Sequence, residues 1–242
     1  MSIAPFHITL ANPQHIKNVP GRKTDMKDAE WIAQLGRCGL IQASYIPDFD
    51  VMELRLLTRR RQSYMQKRTQ AKNELHNVLQ RSNIKLTGYL SNIFSKTGQA
   101  LLRLFIDGEV LSIERIEACR HGRVKASAQD LLTAMDGKLS RINRRLLEDS
   151  FEEYHFYSRK IKQIEEDIER FILEYFPEEY ALLMEIPGVK LQSAAVILGE
   201  IDPNIEAFLT VGHLAPWAGV SPGSNESAGK KKVYAPSKGI NI

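Results

Sequence analysis

The sequence has little cysteine and no long apolar run. Its 242 residues include two cysteines, Cys38 and Cys119, which are far apart and have no Cys-x-x-Cys partner. A disulfide framework and a thiolate zinc site are therefore excluded. No segment approaches the roughly 18 apolar residues of a membrane span, and the N-terminus lacks the basic and apolar regions of a signal peptide. We expect a cytoplasmic protein with no membrane partner.

The composition is that of an ordinary globular protein, with 43% apolar and 26% charged residues. The six histidines are scattered and form no ligand-spaced set, so we assign them no role. The formal net charge is only +4, but the basic residues are clustered. Clustered cations create a local field that attracts phosphates, so anionic partners are expected.

The first fifty residues have a strand, helix, strand pattern. Residues 6–11 alternate as a short strand, and 44–46 form a candidate second strand. Between them, Thr24 is a candidate N-cap for a helix that Gly36 and Gly39 close. There are too few strands for a complete sheet, so the segment looks like the end of an α/β domain.

The rest of the chain is predicted to be helical. One long helix runs from Phe49 to about Ser82, and shorter helices follow between Leu86 and Leu132, separated by Gly98, Gly108, Gly122 and Gly137. From Leu139 to Tyr175 a three-four apolar rhythm predicts an extended hairpin arm or coiled coil, which Pro177 ends. A small-residue helix from Ser193 to Glu200 then belongs to a compact second domain.

Two carboxylates near the start of the chain form a candidate metal site. Asp25 and Asp28 are one helical turn apart, so they share a helix face at about 5–6 Å and could flank a magnesium ion. The alternative is that both acids stabilise the positive end of their helix dipole beside Thr24.

The long helix carries a dense set of cations and few acids. A phosphate backbone would neutralise this charge and give salt-sensitive binding without sequence information. The alternatives are a solvated face or pairing with acids elsewhere in the chain. The candidate nucleic-acid-binding residues are Arg55, Arg59, Arg60, Arg61, Lys67, Arg68 and Lys72, with Lys230, Lys231 and Lys232 near the C-terminus.

Two C-terminal motifs also suggest contact with phosphates. Residues 186–189 resemble the turn of a helix-hairpin-helix DNA-binding unit, although an ordinary helix–helix turn fits equally well. In the Gly-rich loop from Ser221, Ser227 stands beside Glu226 and close to three lysines, where its hydroxyl could attack a phosphodiester. The same composition is also typical of a flexible turn.

The ordered set of motifs resembles the DEDD transposases of bacterial insertion sequences, in particular the IS110 family and its IS1111 relatives. The resemblance covers essentially the whole chain. The segments that carry it are residues 18–31, 54–61, 186–189, 217–219 and 225–230.

This resemblance implies a ribonuclease-H or resolvase-like fold with four acidic Mg²⁺ ligands, a coiled-coil arm and a C-terminal domain whose serine forms a phosphoserine link to DNA. It aligns Asp25 and Asp28 with the last two metal acids and Ser227 with the serine, with Ser224 as second choice. Implied partners are DNA, a structured guide RNA and further copies of the chain. Implied domains are residues 1–48, 49–137, 138–177 and 178–242.

The sequence also departs from the family pattern. The family's first Asp and its Glu have no match here, so we expect a chain truncated at both ends, with a mostly α fold, a partial α/β remnant and an incomplete catalytic site. One alternative function is a non-catalytic helical nucleic-acid-binding module. Another is a structural coiled coil that self-associates through residues 139–176.

Overall fold

The structure is a computed structural model that describes residues 9–13, 16, 28–41, 43–44, 46–122, 124–203, 224–227 and 230–233. These residues are mostly helical, which confirms the predicted mostly α class. The chain divides into two compact units. Unit 1 combines Met1–Arg55 with Glu178–Ile242, and unit 2 is Leu56–Pro177.

The described elements are eight α-helices and two β-strands. A single turn of 3-10 helix, Leu86–Gly88, lies after the second α-helix. The elements are α1 (Asp28–Arg37), α2 (Phe49–Arg81), α3 (Lys96–Asp107), α4 (Ile113–Cys119), α5 (Ala128–Ala134), α6 (Arg141–Tyr175), α7 (Pro177–Met184), α8 (Leu191–Ile201), β1 (Ser224–Ser227) and β2 (Lys230–Val233).

Among the described residues, two of the glycines that were predicted to end or separate helices follow the last residue of a helix, and two others do not. Gly108 caps α3 at φ 70°, and Gly39 follows α1 at φ 68° while the Leu40 N–H donates to the Leu35 carbonyl. The prediction was wrong for Gly36 and Gly98, which lie inside α1 and α3. Gly98 is needed for close packing, because a Cβ there would lie 2.1 Å from the Ile93 carbonyl oxygen.

Unit 2 holds a continuous apolar core. It joins the second half of α2 to the three short helices and to the start of α6. Each fully buried leucine or isoleucine contributes about 1.5–3 kcal/mol relative to an exposed one, so this cluster is the main stabilising feature of the unit. Its members include Leu75, Leu79, Leu101, Leu102, Ile116, Leu131, Met135 and Leu147.

Within unit 2, α2 and α6 run antiparallel. Tyr64 contacts Tyr157 with ring centroids 6.2 Å apart, and the Asn143 amide donates to the Ser82 hydroxyl at 3.2 Å. The predicted arm is therefore one helix whose partner is the basic helix of the same unit. The predicted apolar rhythm matches burial at Ile161, Ile164 and Ile168, whereas Ile142, within the same predicted range, is 72% exposed.

Unit 1 joins the two ends of the chain. The first predicted strand segment forms one antiparallel bridge, between Ala11 and Ala43, one residue before the second predicted segment. The Ser44 N–H of that second segment donates to the Leu10 carbonyl at 2.7 Å. Residues 6–8 and Tyr45 of those predictions lie outside the described residues. The C-terminal α8 approaches the start of α2 so closely that a Cβ at Gly199 would lie 3.3 Å from the Arg55 backbone.

Candidate nucleic-acid interface

The predicted acidic pair is described only in part. Asp28 is exposed in the first described turn of α1, whereas Thr24 and Asp25 lie outside the described residues. Carboxylate oxygens are ligands that Mg²⁺ prefers. In the part of the chain that the structure describes, however, no three His, Cys, Asp or Glu residues are grouped as a metal site. The described residues alone therefore do not form the metal centre that the resemblance implies.

The serine-rich segment forms a β-hairpin rather than the predicted loop. β1 pairs with β2 in antiparallel register, which places Ser227 opposite Lys230 and Glu226 opposite Lys231. Ser224, the second-choice serine, is opposite Val233. Directly opposed residues are the closest cross-strand neighbours in a sheet. The register therefore gives Ser227 a lysine as its neighbour and Ser224 a valine.

Arg55 is engaged by the C-terminal helix of its own unit. Its Nε donates to the Gly199 carbonyl at 2.6 Å and lies 3.6 Å from a carboxylate oxygen of Glu200. The Arg55 side chain is 24% exposed and that of Glu200 only 7% exposed. The sequence left open whether these cations pair with acids elsewhere in the chain. Arg55 does so.

Arg61 is also paired with a distant acid. Its Nε donates to the Glu165 carboxylate at 2.7 Å, and its Nη2 lies 2.6 Å from the same oxygen. Because Glu165 is on α6, this ion pair connects the two antiparallel helices of unit 2. Arg59 is exposed and Arg68 half-buried on the same helix.

Three other cations of α2 lie against aromatic rings. The Arg60 guanidinium is 5.7 Å from the centroid of the Tyr64 ring, the Lys67 ammonium 5.8 Å from that of Tyr157, and the Lys72 ammonium 5.7 Å from that of Phe94. All three cations are exposed. Such contacts contribute only about 0.5–1 kcal/mol at exposed sites and leave N–H donors available to a phosphate.

Sequence reasoning missed these aromatic partners. Only Tyr64 has a local signal, because it lies four residues after Arg60 and so on the same helix face. Phe94 and Tyr154 stack with centroids 3.9 Å apart, and Tyr157 reaches α2 only because α6 folds back on it. Lys72 also lies near His76. Burial is the main cause that lowers the pKa of the His76 imidazole, and the positive charge of Lys72 lowers this pKa further.

The candidate hairpin turn in unit 1 connects α7 with α8. The Val189 N–H donates to the Ile186 carbonyl at 3.1 Å, and Gly188 has φ 89°. Lys190 is the N-cap of α8 and makes no side-chain capping hydrogen bond. A turn between two helices is thus present, and its role in phosphate binding stays a prediction. Residues 217–219 lie outside the described residues.

Two family models match the chain, one towards each end. A model described as a transposase of the DEDD IS110 kind matches residues 3–84, and one described as the transposase IS116/IS110/IS902 family matches residues 180–241. The first match contains α1 and α2, and the second contains α8 and the hairpin. No curated protein and no solved structure matches the chain. None of the described helices has the length and apolar character needed to span a membrane.

Proposed function

Because the chain belongs to the IS110 family of insertion-sequence transposases, we propose that it binds DNA and exchanges DNA strands by serine attack on phosphodiesters. The observation that carries this proposal is the order of the two family matches. The first contains the candidate metal acids and the basic helix, and the second contains the candidate serine and lysines. The elements that would bind phosphate and the group that would attack it therefore occur in one chain.

The DNA-binding surface is proposed to centre on the exposed cations of α2. Arg60, Lys67 and Lys72 lie over aromatic rings and are not paired with any carboxylate among the described residues. Each can neutralise one phosphate and release counterions. Arg55 and Arg61 already bind acids, so they would contact DNA only if those ion pairs opened.

The proposed chemistry uses the hydroxyl of Ser227. Its oxygen forms a bond to phosphorus while the bond from phosphorus to one deoxyribose oxygen breaks, and the serine proton is transferred to that leaving oxygen. A hydroxyl of the second strand then displaces the serine, which restores the free side chain. Opposite Ser227 in the hairpin is Lys230, and Lys231 and Lys232 follow it, so cations would stabilise negative charge on the phosphate oxygens.

Asp25 and Asp28 are proposed to contribute to a Mg²⁺ site in a ribonuclease-H-like domain. DEDD-type transposases usually depend on metal, and bound Mg²⁺ would stabilise charge on the scissile phosphate. The resemblance assigns two of the family's four acids to this sequence, so we expect Mg²⁺ to be held weakly and cleavage by this chain to be slow. The proposal also includes the domain boundaries 1–48, 49–137, 138–177 and 178–242, a structured guide RNA as partner, and a homo-oligomeric state.

The decisive experiment is capture of the phosphoserine. Supercoiled DNA carrying the element ends is incubated with the protein and Mg²⁺, and covalent adducts are located by mass spectrometry. We expect an adduct at Ser227 that is lost in Ser227→Ala and retained in the matched control Ser224→Ala. An adduct at Ser224 or at another residue would contradict the assignment. DNA binding without any adduct or cleavage would favour the non-catalytic module.

A further inference from the structure

Unit 2 contains a cavity of about 480 Å³ outside the surface discussed so far. Two chain segments form it, one at the start of α3 and the other in the loop between α4 and α5. Residues of both segments line it, among them Tyr89, Ser91, Asn92, Lys96, His121 and Lys125.

Hydrogen bonds fix the two walls of this cavity. Thr97 is fully buried, and its hydroxyl accepts a hydrogen bond from the His121 N–H at 2.8 Å and donates to the His121 carbonyl at 3.3 Å. The Arg120 guanidinium donates to the Val124 carbonyl at 3.2 Å. These bonds hold the loop against the start of α3, so the cavity is preformed and needs little ordering to bind a ligand.

The charge lining the cavity is positive. Lys96, Lys125 and His121 line it, and none of the described residues that line it is an Asp or a Glu. Two other cavities of unit 2 differ, because one is lined by Glu74 and another by Asp149, Glu152 and Glu153. The nearby acid Glu117 is bound by Arg120 at 2.7 Å. An anion entering the cavity would therefore meet cations without a competing acid.

The cavity also has an exposed aromatic wall. Tyr89 is 43% exposed, so its ring is accessible to a ligand. A flat exposed ring beside cations is the combination that binds single-stranded nucleic acid, because a base stacks on the ring while the backbone phosphate binds the cations. The volume suits one nucleotide and is too small for a duplex.

We propose that this cavity binds an unpaired nucleotide of a nucleic-acid strand. Lys96 and Lys125 bind its phosphate, and Tyr89 stacks on its base. The inference deepens the proposed function, since it rests on a nucleic-acid partner for the chain. It adds a single-strand site formed by residues other than the cations of α2 and the serine.

The test measures binding of a short fluorescent single-stranded oligonucleotide by anisotropy at several salt concentrations. For Lys96→Gln/Lys125→Gln we expect weaker binding and a salt slope reduced by about 0.7 for each phosphate that is no longer neutralised. The matched control is Lys162→Gln/Arg170→Gln, which removes the same charge from exposed positions on α6. The control should retain the wild-type slope, and thermal melting verifies that all variants fold.

A second pair of variants tests the stacking. Tyr89→Ala should lose roughly five- to hundredfold in affinity, while Tyr89→Phe, which keeps the ring, should stay within about twofold. Photo-crosslinking with a bromouridine oligonucleotide should label Tyr89. Equal binding by the alanine and phenylalanine variants, or a lysine variant no weaker than its control, would overturn the proposal. Both RNA and DNA strands are assayed, and specific binding of either supports it.

The outcomes separate this site from the proposed function. A protein that forms the Ser227 adduct but binds single strands equally well in all cavity variants has the proposed activity without this site. A protein that shows the Tyr89 effects but no adduct and no cleavage has the site, and the strand-exchange proposal is then wrong.

Discussion

Arg55 shows how one residue of a basic cluster can be bound by groups of its own unit. Its guanidinium binds the Gly199 carbonyl and the buried acid Glu200, both on α8. The charge of Arg55 thus serves to attach the C-terminal helix to the start of α2. Its neighbour Arg60, five residues later, is exposed over a tyrosine ring.

Arg55→Gln should destabilise the protein. The buried Glu200 loses one of its partners, and the Gly199 carbonyl loses a donor, so we expect the free energy of unfolding to fall by about 1–3 kcal/mol. Urea denaturation measures this change. The control is Arg60→Gln, which should remain within about 0.5 kcal/mol of wild type because its side chain is exposed. Equal stability of the two variants would show that the interaction of Arg55 with α8 does not stabilise the fold.

His76 and His155 should make the protein less stable in acid. Burial is the main cause that lowers the pKa of both imidazoles, with help from Lys72 for His76 and from Arg103 and Arg159 for His155. A histidine with a lowered folded pKa stabilises the fold above its unfolded pKa of about 6.5. That stability is lost as the pH falls from about 6.5 through the lowered values.

Urea denaturation at a series of pH values checks this expectation. The free energy of unfolding of the wild type should fall as the pH falls through that window, and His76→Gln/His155→Gln should show a flatter profile. His121→Gln, at an exposed histidine outside this group, serves as control. A double variant with the wild-type profile would rule out these two histidines as the cause.

At the scale of the element, α2 combines a structural role with the proposed DNA-binding role. Its second half supplies the buried Leu75, Val78 and Leu79 to the core of unit 2. Its middle presents cations, some in ion pairs with distant acids and some over aromatic rings. Cations in ion pairs hold elements together, whereas exposed cations without acid partners remain able to bind phosphate.

The triple variant Arg60→Gln/Lys67→Gln/Lys72→Gln should bind duplex DNA more weakly. The slope of log K against log salt should become shallower by about 0.9 for each phosphate that the variant no longer neutralises. The matched control is Arg145→Gln/Lys162→Gln/Arg170→Gln on α6, where each cation already pairs with an acid of the same helix. Titrations at several salt concentrations measure both. A control that weakens binding as much as the test variant would mean that only net charge matters.

At the scale of the whole molecule, binding and chemistry should be separable. Ser227→Ala removes the proposed nucleophile, and the slow strand cleavage of supercoiled DNA expected of the wild type should then be lost, because no other group replaces a covalent nucleophile. Its affinity for duplex DNA should equal that of wild type, since the cations of α2 are untouched. Gel assays of cleavage and anisotropy measure the two properties on the same preparation. Cleavage by Ser227→Ala at the wild-type rate would disprove the assignment.

Much of the helical fold could be predicted from the sequence. The helix from Phe49 ends within one residue of its expected end, at Arg81, because its apolar periodicity and its terminal signals agree. The glycines were less reliable, since Gly98 serves close packing against Ile93 and ends no helix. The hairpin of β1 and β2 was missed because serine, glycine and lysine are typical of turns, and pairing between two strands is not a local property.

The sequence by itself determined the family, the mostly α class and the set of candidate residues, because periodicity, caps and motif order are local properties of the chain. Only the tertiary structure decided which cations are available. Arg55 and Arg61 bind acids more than a hundred residues away, whereas Lys67 and Lys72 lie over rings contributed by other elements. Charge is encoded in each residue, but its availability depends on which neighbours the folded chain brings within a few ångströms.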